Sequence, residues 1–199
     1  MAKVGLSKPY FAKYNYDEEL GLVSYSDGGL LGKYTEMSIE LSSSEDNDLY
    51  GDDGPAESDK TFSGGLVNVT TDDLLVEIML SILGLKSEVV TYDDITTEDA
   101  QWVVFDDDQE TPYIGLGGII KRKLNGKFRW FGYVLDKIQF ANPGLAAVTQ
   151  GKNIEWQTSS LSATILRSDS EKHPWFRISS DFSSPAEAEK IVKNYLNIS

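Results

Sequence analysis

One histidine and no cysteine in 199 residues leave few side chains able to do covalent, acid–base or soft-metal chemistry at neutral pH. His173 stands between Lys172 and Pro174, ahead of Trp175, in a stretch that reads as a loop. No G-x-S-x-G elbow or H-E-x-x-H pair accompanies it, so it reads as a surface residue rather than a catalyst. Residues 28–35 (GGLLGKYT) approach a phosphate-binding loop. The spacing ahead of Gly32-Lys33 is one residue short, Asp27 stands where a glycine is needed, and Tyr34 replaces the magnesium-binding hydroxyl. The segment reads as a turn. Gly115, Gly117 and Gly118 lack the third glycine of a dinucleotide fingerprint and fall inside a strand pattern, where glycine permits close approach of another element. The nearest thing to a metal site is Asp46, Asp48, Tyr50 and Gly51 with Glu57 at the twelfth position, a mimic of a calcium loop. Tyr50 occupies a position that needs a carboxylate or amide, and no helices flank the loop. Asp93-Asp94, Glu98-Asp99 and residues 106–108 read as solvated acidic loops that would hold a cation only weakly. The inventory predicts no enzyme, no cofactor and no resident metal.

These residues must be carried by a folded chain. Hydrophobic residues make up 40% of it and aromatic residues 11%, enough for a real core in a single domain spanning 1–199. Folding at this length buries about 70% of the unfolded surface. The first fourteen residues are broken at Lys8-Pro9 before any apolar run develops, and no stretch approaches a membrane span. The expectation is a cytoplasmically made chain with no membrane partner. A net charge of −14, from 32 acidic and 18 basic residues, argues against a phosphate-gripping surface. It fits simple solubility, and equally a wall past which DNA moves without sticking.

Strand patterns dominate. Residues 35–41 (TEMSIEL) and 66–70 (LVNVT) alternate polar and apolar. Residues 113–123 and 127–140 form two long extended runs joined at Asn125-Gly126, a strong hairpin signal. The second arm is apolar on both faces, with Phe128, Trp130 and Val134 on one and Phe131, Tyr133 and Leu135 on the other. Such a strand needs two covering layers, one of which could be a neighbouring subunit. Residues 153–166 and 175–182 complete the strand-rich half. A helix is predicted over 72–83, with Thr71 as N-cap, acids in its first turn and Gly84 as C-cap. Its thin polar face suits a sheet and a second subunit, although a large monomeric core would also absorb it. A docking helix is predicted over 185–197, within a C-terminal segment 183–199. It carries a Ser184 cap, Pro185 at its first position, a Glu187 capping box, a Glu189–Lys193 pair, and a stripe of Ala188, Ile191, Val192, Tyr195 and Leu196.

Residues 49–59 (LYGDDGPAESD) form a loop broken by Gly51, Gly54 and Pro55, and the seven carboxylates Glu45, Asp46, Asp48, Asp52, Asp53, Glu57 and Asp59 keep it in water. This segment resembles the signature of the major tail tube proteins of long, non-contractile-tailed bacteriophages. Residues 111–131 (TPYIGLGGIIKRKLNGKFRWF) and 151–158 (GKNIEWQT) resemble the central hairpin and following strand of that family, in the same order. The resemblance covers Val4 to about Leu166 and thins beyond Arg167, because some relatives end in an immunoglobulin-like module where this chain ends in a helix. It implies a mainly β (α+β) fold, a β-sandwich or half-barrel with one packed α-helix, a long projecting hairpin and a C-terminal helix. It further implies a virion structural subunit, assembled in a host bacterial cytoplasm as stacked homohexameric rings around a tape-measure protein. Tail terminator and distal tail proteins would be its other partners, and DNA would pass through the lumen without specific binding. Residues 42–63 correspond to the segment that reaches between rings.

Two assembly expectations follow from the residues themselves. Lys121, Arg122, Lys123, Lys127 and Arg129 crowd five cations around the Asn125-Gly126 turn. They are either an ordinary solvated tip or the counterpart of the acidic segment of another subunit across the ring–ring junction. Residues 154–166, with Glu155, Gln157 and Ser159, are small and polar enough to line a lumen, or are simply a half-exposed strand. Two rival readings stand beside the tail tube. One is a tube subunit of a contractile tail, tail-like bacteriocin or secretion system; the other is a monomeric acidic β-sandwich that binds calcium or carbohydrate.

Overall fold

The computed structural model describes residues 2–43, 47–51, 54–59, 61–90, 100–144 and 158–199, with the backbone alone described at 2, 47–51, 54–59, 100 and 101. The chain is mainly β with two helices. Its elements are β1 (Ala2–Asp17), β2 (Leu22–Leu30), β3 (Tyr34–Ser43), β4 (Asn47–Gly51), β5 (Gly54–Asp59), β6 (Phe62–Thr71), α1 (Val76–Leu83), β7 (Lys86–Val90), β8 (Ala100–Val104), β9 (Ile114–Leu124), β10 (Lys127–Phe140), β11 (Ser159–Leu166), β12 (Phe176–Ile178) and α2 (Pro185–Tyr195). Eight strands form one antiparallel sheet in the order β2-β1-β9-β10-β11-β6-β3, with β12 also on β10. The hairpins β4–β5 and β7–β8 stand apart as two-stranded sheets.

The sheet curls around its main apolar interior. Phe11 of β1, Val67 and Val69 of β6, Leu116 of β9, Leu135 and Ile138 of β10 and Leu161 and Ile165 of β11 meet there, capped by Ile82 and Leu83 of α1. Curling brings β3 over the β9–β10 hairpin, where the Tyr34 and Tyr133 hydroxyls lie 2.5 Å apart and Tyr133 Oη donates to Met37 Sδ at 2.9 Å. The result is a mainly β (α+β) fold, as expected: one large antiparallel sheet with packed helices.

The two-faced strand β10 finds its second layer within the same chain. Ala188 and Val192 of α2 and Leu196 just past its end are buried against the face opposite α1. Glycines make this possible. A Cβ on Gly117 would lie 2.6 Å from Val192 Cγ1, and one on Gly132 would lie 2.5 Å from Val192 Cγ2. Close approach of a helix is thus the role of these glycines, and α2 covers β10 from Gly132 to Asp136, while Phe128 near the tip stays 45% exposed.

Several expected elements change shape. The helix predicted over 72–83 begins only at Val76, and no side chain caps its Leu75 position. Thr71 stays the last residue of β6, held extended between Ser159 and Tyr34, and its hydroxyl donates to Asp73 O at 3.0 Å. Asp72 Oδ1 instead accepts the Lys33 amide at 2.8 Å. Ser184 caps α2 as expected by accepting from Ala186 N at 3.2 Å. Glu187 closes no capping box and takes the Ser183 hydroxyl instead, at 3.3 Å. Glu189 is drawn from Lys193 to Lys8 Nζ, 2.7 Å away, and to the Tyr10 hydroxyl at 2.5 Å. Within 42–63, a hairpin replaces the expected loop: Gly51 pairs with Gly54 around residues 52–53, which lie outside the described residues. The strand predicted over 175–182 shrinks to β12 plus a Trp130–Phe182 bridge. No element was expected before Thr35, yet β1 and β2 hold that end of the sheet. The Lys8-Pro9 break is a bulge in β1, with Lys8 at φ 55°.

Candidate functional site

The β9–β10 hairpin ends in a two-residue turn with both residues left-handed, Asn125 at φ 49° and Gly126 at φ 79°. That geometry matches the twist of the flanking strands and fixes their register. Register then sorts the five tip cations onto two faces. Lys121 pairs with Trp130 and Lys123 with Phe128, so these four side chains share one face. Lys121 Nζ lies 4.1 Å from the Phe128 ring centre and 5.6 Å from that of Trp130, and Lys123 Nζ lies 5.9 Å from Phe128. Arg122 and Arg129 pair on the other face, with Lys3 of β1 beside Arg122. There Arg122 is bound to Asp181 and lies over the Phe131 ring at 5.0 Å. Lys127 stands exposed at the turn.

Of the acidic segment, Glu45, Asp46, Asp52 and Asp53 lie outside the described residues. Asp48 falls on β4, and Glu57 and Asp59 fall on β5. The lumen candidates divide as well. Glu155 and Gln157 lie outside the described residues, while Ser159 falls on β11 opposite Thr71, on the side of Leu161, Ala163 and Ile165 that faces the core. The face turned away from α1 is made by the alternate residues, in three cross-strand rows: Ser160–Thr70–Glu36, Ser162–Asn68–Ser38 and Thr164–Leu66–Glu40. Strands β3, β6 and β11 contain no Lys or Arg. Period two alone could not tell which alternate set faces outward.

A buried carboxylate hub went unpredicted. Asp136, 1% exposed, lies on the α2 side of β10 and accepts from Arg177 Nε at 2.8 Å and from the Tyr195 hydroxyl. The Tyr25 hydroxyl donates to the Asp136 carbonyl at 2.9 Å. Burial, and then the hydrogen bond to Asp136, push the Tyr195 hydroxyl up to about 12, so it remains a protonated donor. One residue thereby ties β2, β12 and α2 to β10. Beside it, Lys137 Nζ reaches Asp169 Oδ2 at 2.5 Å and lies 4.3 Å from the Tyr113 ring centre. The only sequence signal was a charged pair, Asp136-Lys137, interrupting the apolar run from Trp130 to Ile138.

The Lys137 hydrogen bond holds the Asp169 carboxyl below the usual carboxylate range. A depressed folded-state value contributes stability that is present above the unfolded value, ~3.9, and lost as pH falls through the folded one. Asp169→Asn should therefore flatten the acid limb of a stability-against-pH curve below about pH 4. An unchanged acid limb in urea unfolding would remove Asp169 from that role.

His173 is exposed in a left-handed turn, its Nδ1 2.9 Å from Ser168 O. Among the described residues no group of three or more His, Asp or Glu side chains is placed to hold a metal ion, and no helix is long and apolar enough to cross a membrane. No protein-family model matches the chain, and no curated protein matches it in sequence.

Proposed function

We propose that the chain is the structural subunit of a bacteriophage tail tube, forming stacked hexameric rings through which DNA leaves at infection. The observation that carries the reading is the outward face of β3, β6 and β11. It offers hydroxyls, an amide and the carboxylates Glu36 and Glu40, with no cation to grip a phosphate. Such a face suits a channel wall that polyanions pass without binding. Supporting it are the three ordered motifs of the sequence and the curled sheet, whose end strands β2 and β3 are each paired on one side only among the described residues. Unpaired edges of this length invite aggregation, and ring closure would pair or cover them. The role asks for no catalysis. Its partners would be further copies of the chain, a tape-measure protein and the proteins closing the tube at its ends, and its place would be the virion.

Purified protein viewed by negative-stain microscopy should show rings or tubes. A strict monomer at all concentrations would sink the reading in favour of a monomeric acidic β-domain. Lys at Ser162, Asn68 and Ser38, one cross-strand row, should leave tube length normal and slow DNA ejection about tenfold, because each added cation binds passing phosphates. Normal ejection kinetics would take the lumen away from this face.

A further inference from the structure

We propose that the hairpin face formed by Lys121, Lys123, Phe128 and Trp130 docks the acidic β4–β5 hairpin of a laterally adjacent copy of this chain. The inference deepens the ring reading above and rests on it for the second copy.

The face is built and unpartnered. Its two ammonium groups flank one ring, Lys121 at 4.1 Å and Lys123 at 5.9 Å from the Phe128 centre, and Phe128 is 45% exposed. Neither lysine makes an ion pair among the described residues, in a chain with 32 acidic side chains against 18 basic ones. The opposite face differs: there Asp181 already answers Arg122, and among the described residues no aromatic ring holds Arg129. Cations held over aromatic rings are partly desolvated, which strengthens their attraction for carboxylates. Two lysines and two rings match a short segment that pairs carboxylates with apolar side chains. Residues 45–59 supply seven carboxylates together with Leu49 and Tyr50. A nucleic acid would need a longer cation track.

Strand direction selects the neighbour. Moving along β10 from Phe140 towards its tip at Lys127 corresponds to moving along β11 from Ala163 to Leu166. The same direction runs along β6 from Val67 to Phe62 and along β3 from Ile39 to Ser43, from which β4–β5 departs. The basic tip and the acidic hairpin therefore leave the sheet at the same end. In rings stacked head to tail, that end of one ring meets the opposite end of the next. Copies side by side in one ring carry both hairpins at one level. With the strands running along the ring axis, that shared end makes the proposed contact a lateral one, an alternative to the ring–ring junction expected from sequence.

A charge swap tests this in the full-length chain. K121E/K123E and D52K/D53K should each weaken self-association at least tenfold by sedimentation, with circular dichroism unchanged. An equimolar mixture should restore association to within about threefold of wild type, because positions 121 and 123 of each copy then meet positions 52 and 53 of its neighbour with opposite charge. F128A, which keeps both lysines, should also weaken association several-fold. If K121E/K123E does not fold, D52K/D53K alone still decides, since wild-type association by it overturns the proposal. Wild-type association by K121E/K123E overturns it too. Failure of the mixture to recover, with recovery when all four changes share one chain, overturns it in favour of a contact within the chain. Loss of dT20 oligonucleotide binding by K121E/K123E with self-association intact overturns it in favour of nucleic acid. Charge-swap rescue in an assembly that is neither ring nor tube would keep the docking face and discard the tail tube. Tubes indifferent to every swap would do the reverse.

Discussion

Gly84→Ala should cost about 4 kcal/mol of folding stability, because its Cβ would meet backbone more closely than one at any other glycine assessed among the described residues. Gly84 closes α1 in the left-handed region at φ 66°, which alone penalises an L-residue by about 1–2 kcal/mol. The added Cβ would also lie 2.0 Å from the backbone oxygen of Glu110 and 3.1 Å from Pro112 Cδ. Backbone cannot rotate aside as a side chain would, and Gln109 Nε2 pins the neighbouring Leu83 carbonyl at 2.9 Å. Gly126→Ala is the control. Gly126 is equally left-handed at φ 79°, but a Cβ there meets nothing within 4 Å, so its cost should stay near 1 kcal/mol. Urea unfolding of the two variants separates conformational strain from collision. Equal losses would show that the α1 terminus can move away from residues 109–112.

The Asp136 hub should respond asymmetrically. Arg177→Ala leaves a carboxylate that is 1% exposed with only the Tyr195 hydroxyl as a side-chain donor, and should cost about 3 kcal/mol, the penalty for stranding a buried charge. Asp136→Ala strands nothing comparable. The Arg177 side chain is 46% exposed and can turn to water, Tyr195 is 37% exposed, and the Tyr25 bond to the residue 136 carbonyl survives the change. Its cost should be about 1–2 kcal/mol, mostly lost hydrogen bonds. Arg177→Ala should also speed amide exchange in α2, since Tyr195 then shares an unbalanced acceptor. If Asp136→Ala proves the more damaging, the hub is held by packing around the carboxylate and not by its charge.

Residue patterns alone sufficed for the fold class, the long β9–β10 hairpin with its Asn125-Gly126 turn, the terminators Gly84 and Ser184, and the poverty of catalytic side chains. Each is a local property: turn dihedrals, hydrophobic period and residue inventory act over a few neighbours. Tertiary structure decided the rest. It put β1 and β2 in the sheet despite a Lys8-Pro9 break, because a bulge absorbs what looks like a terminator. It shortened α1, because ladder partners on both sides of Thr71 outweigh its propensity to cap a helix. It brought Glu189 to Lys8 across 181 positions in place of its helical neighbour Lys193. It covered the middle of the second face of β10 with α2, where Gly115, Gly117 and Gly132 admit Val192 and Leu196. It also sorted the tip cations, leaving Lys121 and Lys123 on aromatic rings and giving Arg122 to Asp181. A linear pattern reports that charges are near one another in the chain. Only register and curvature determine which face they share and which partner reaches them first, because strand pairing converts a shift of one residue into the opposite side of the sheet.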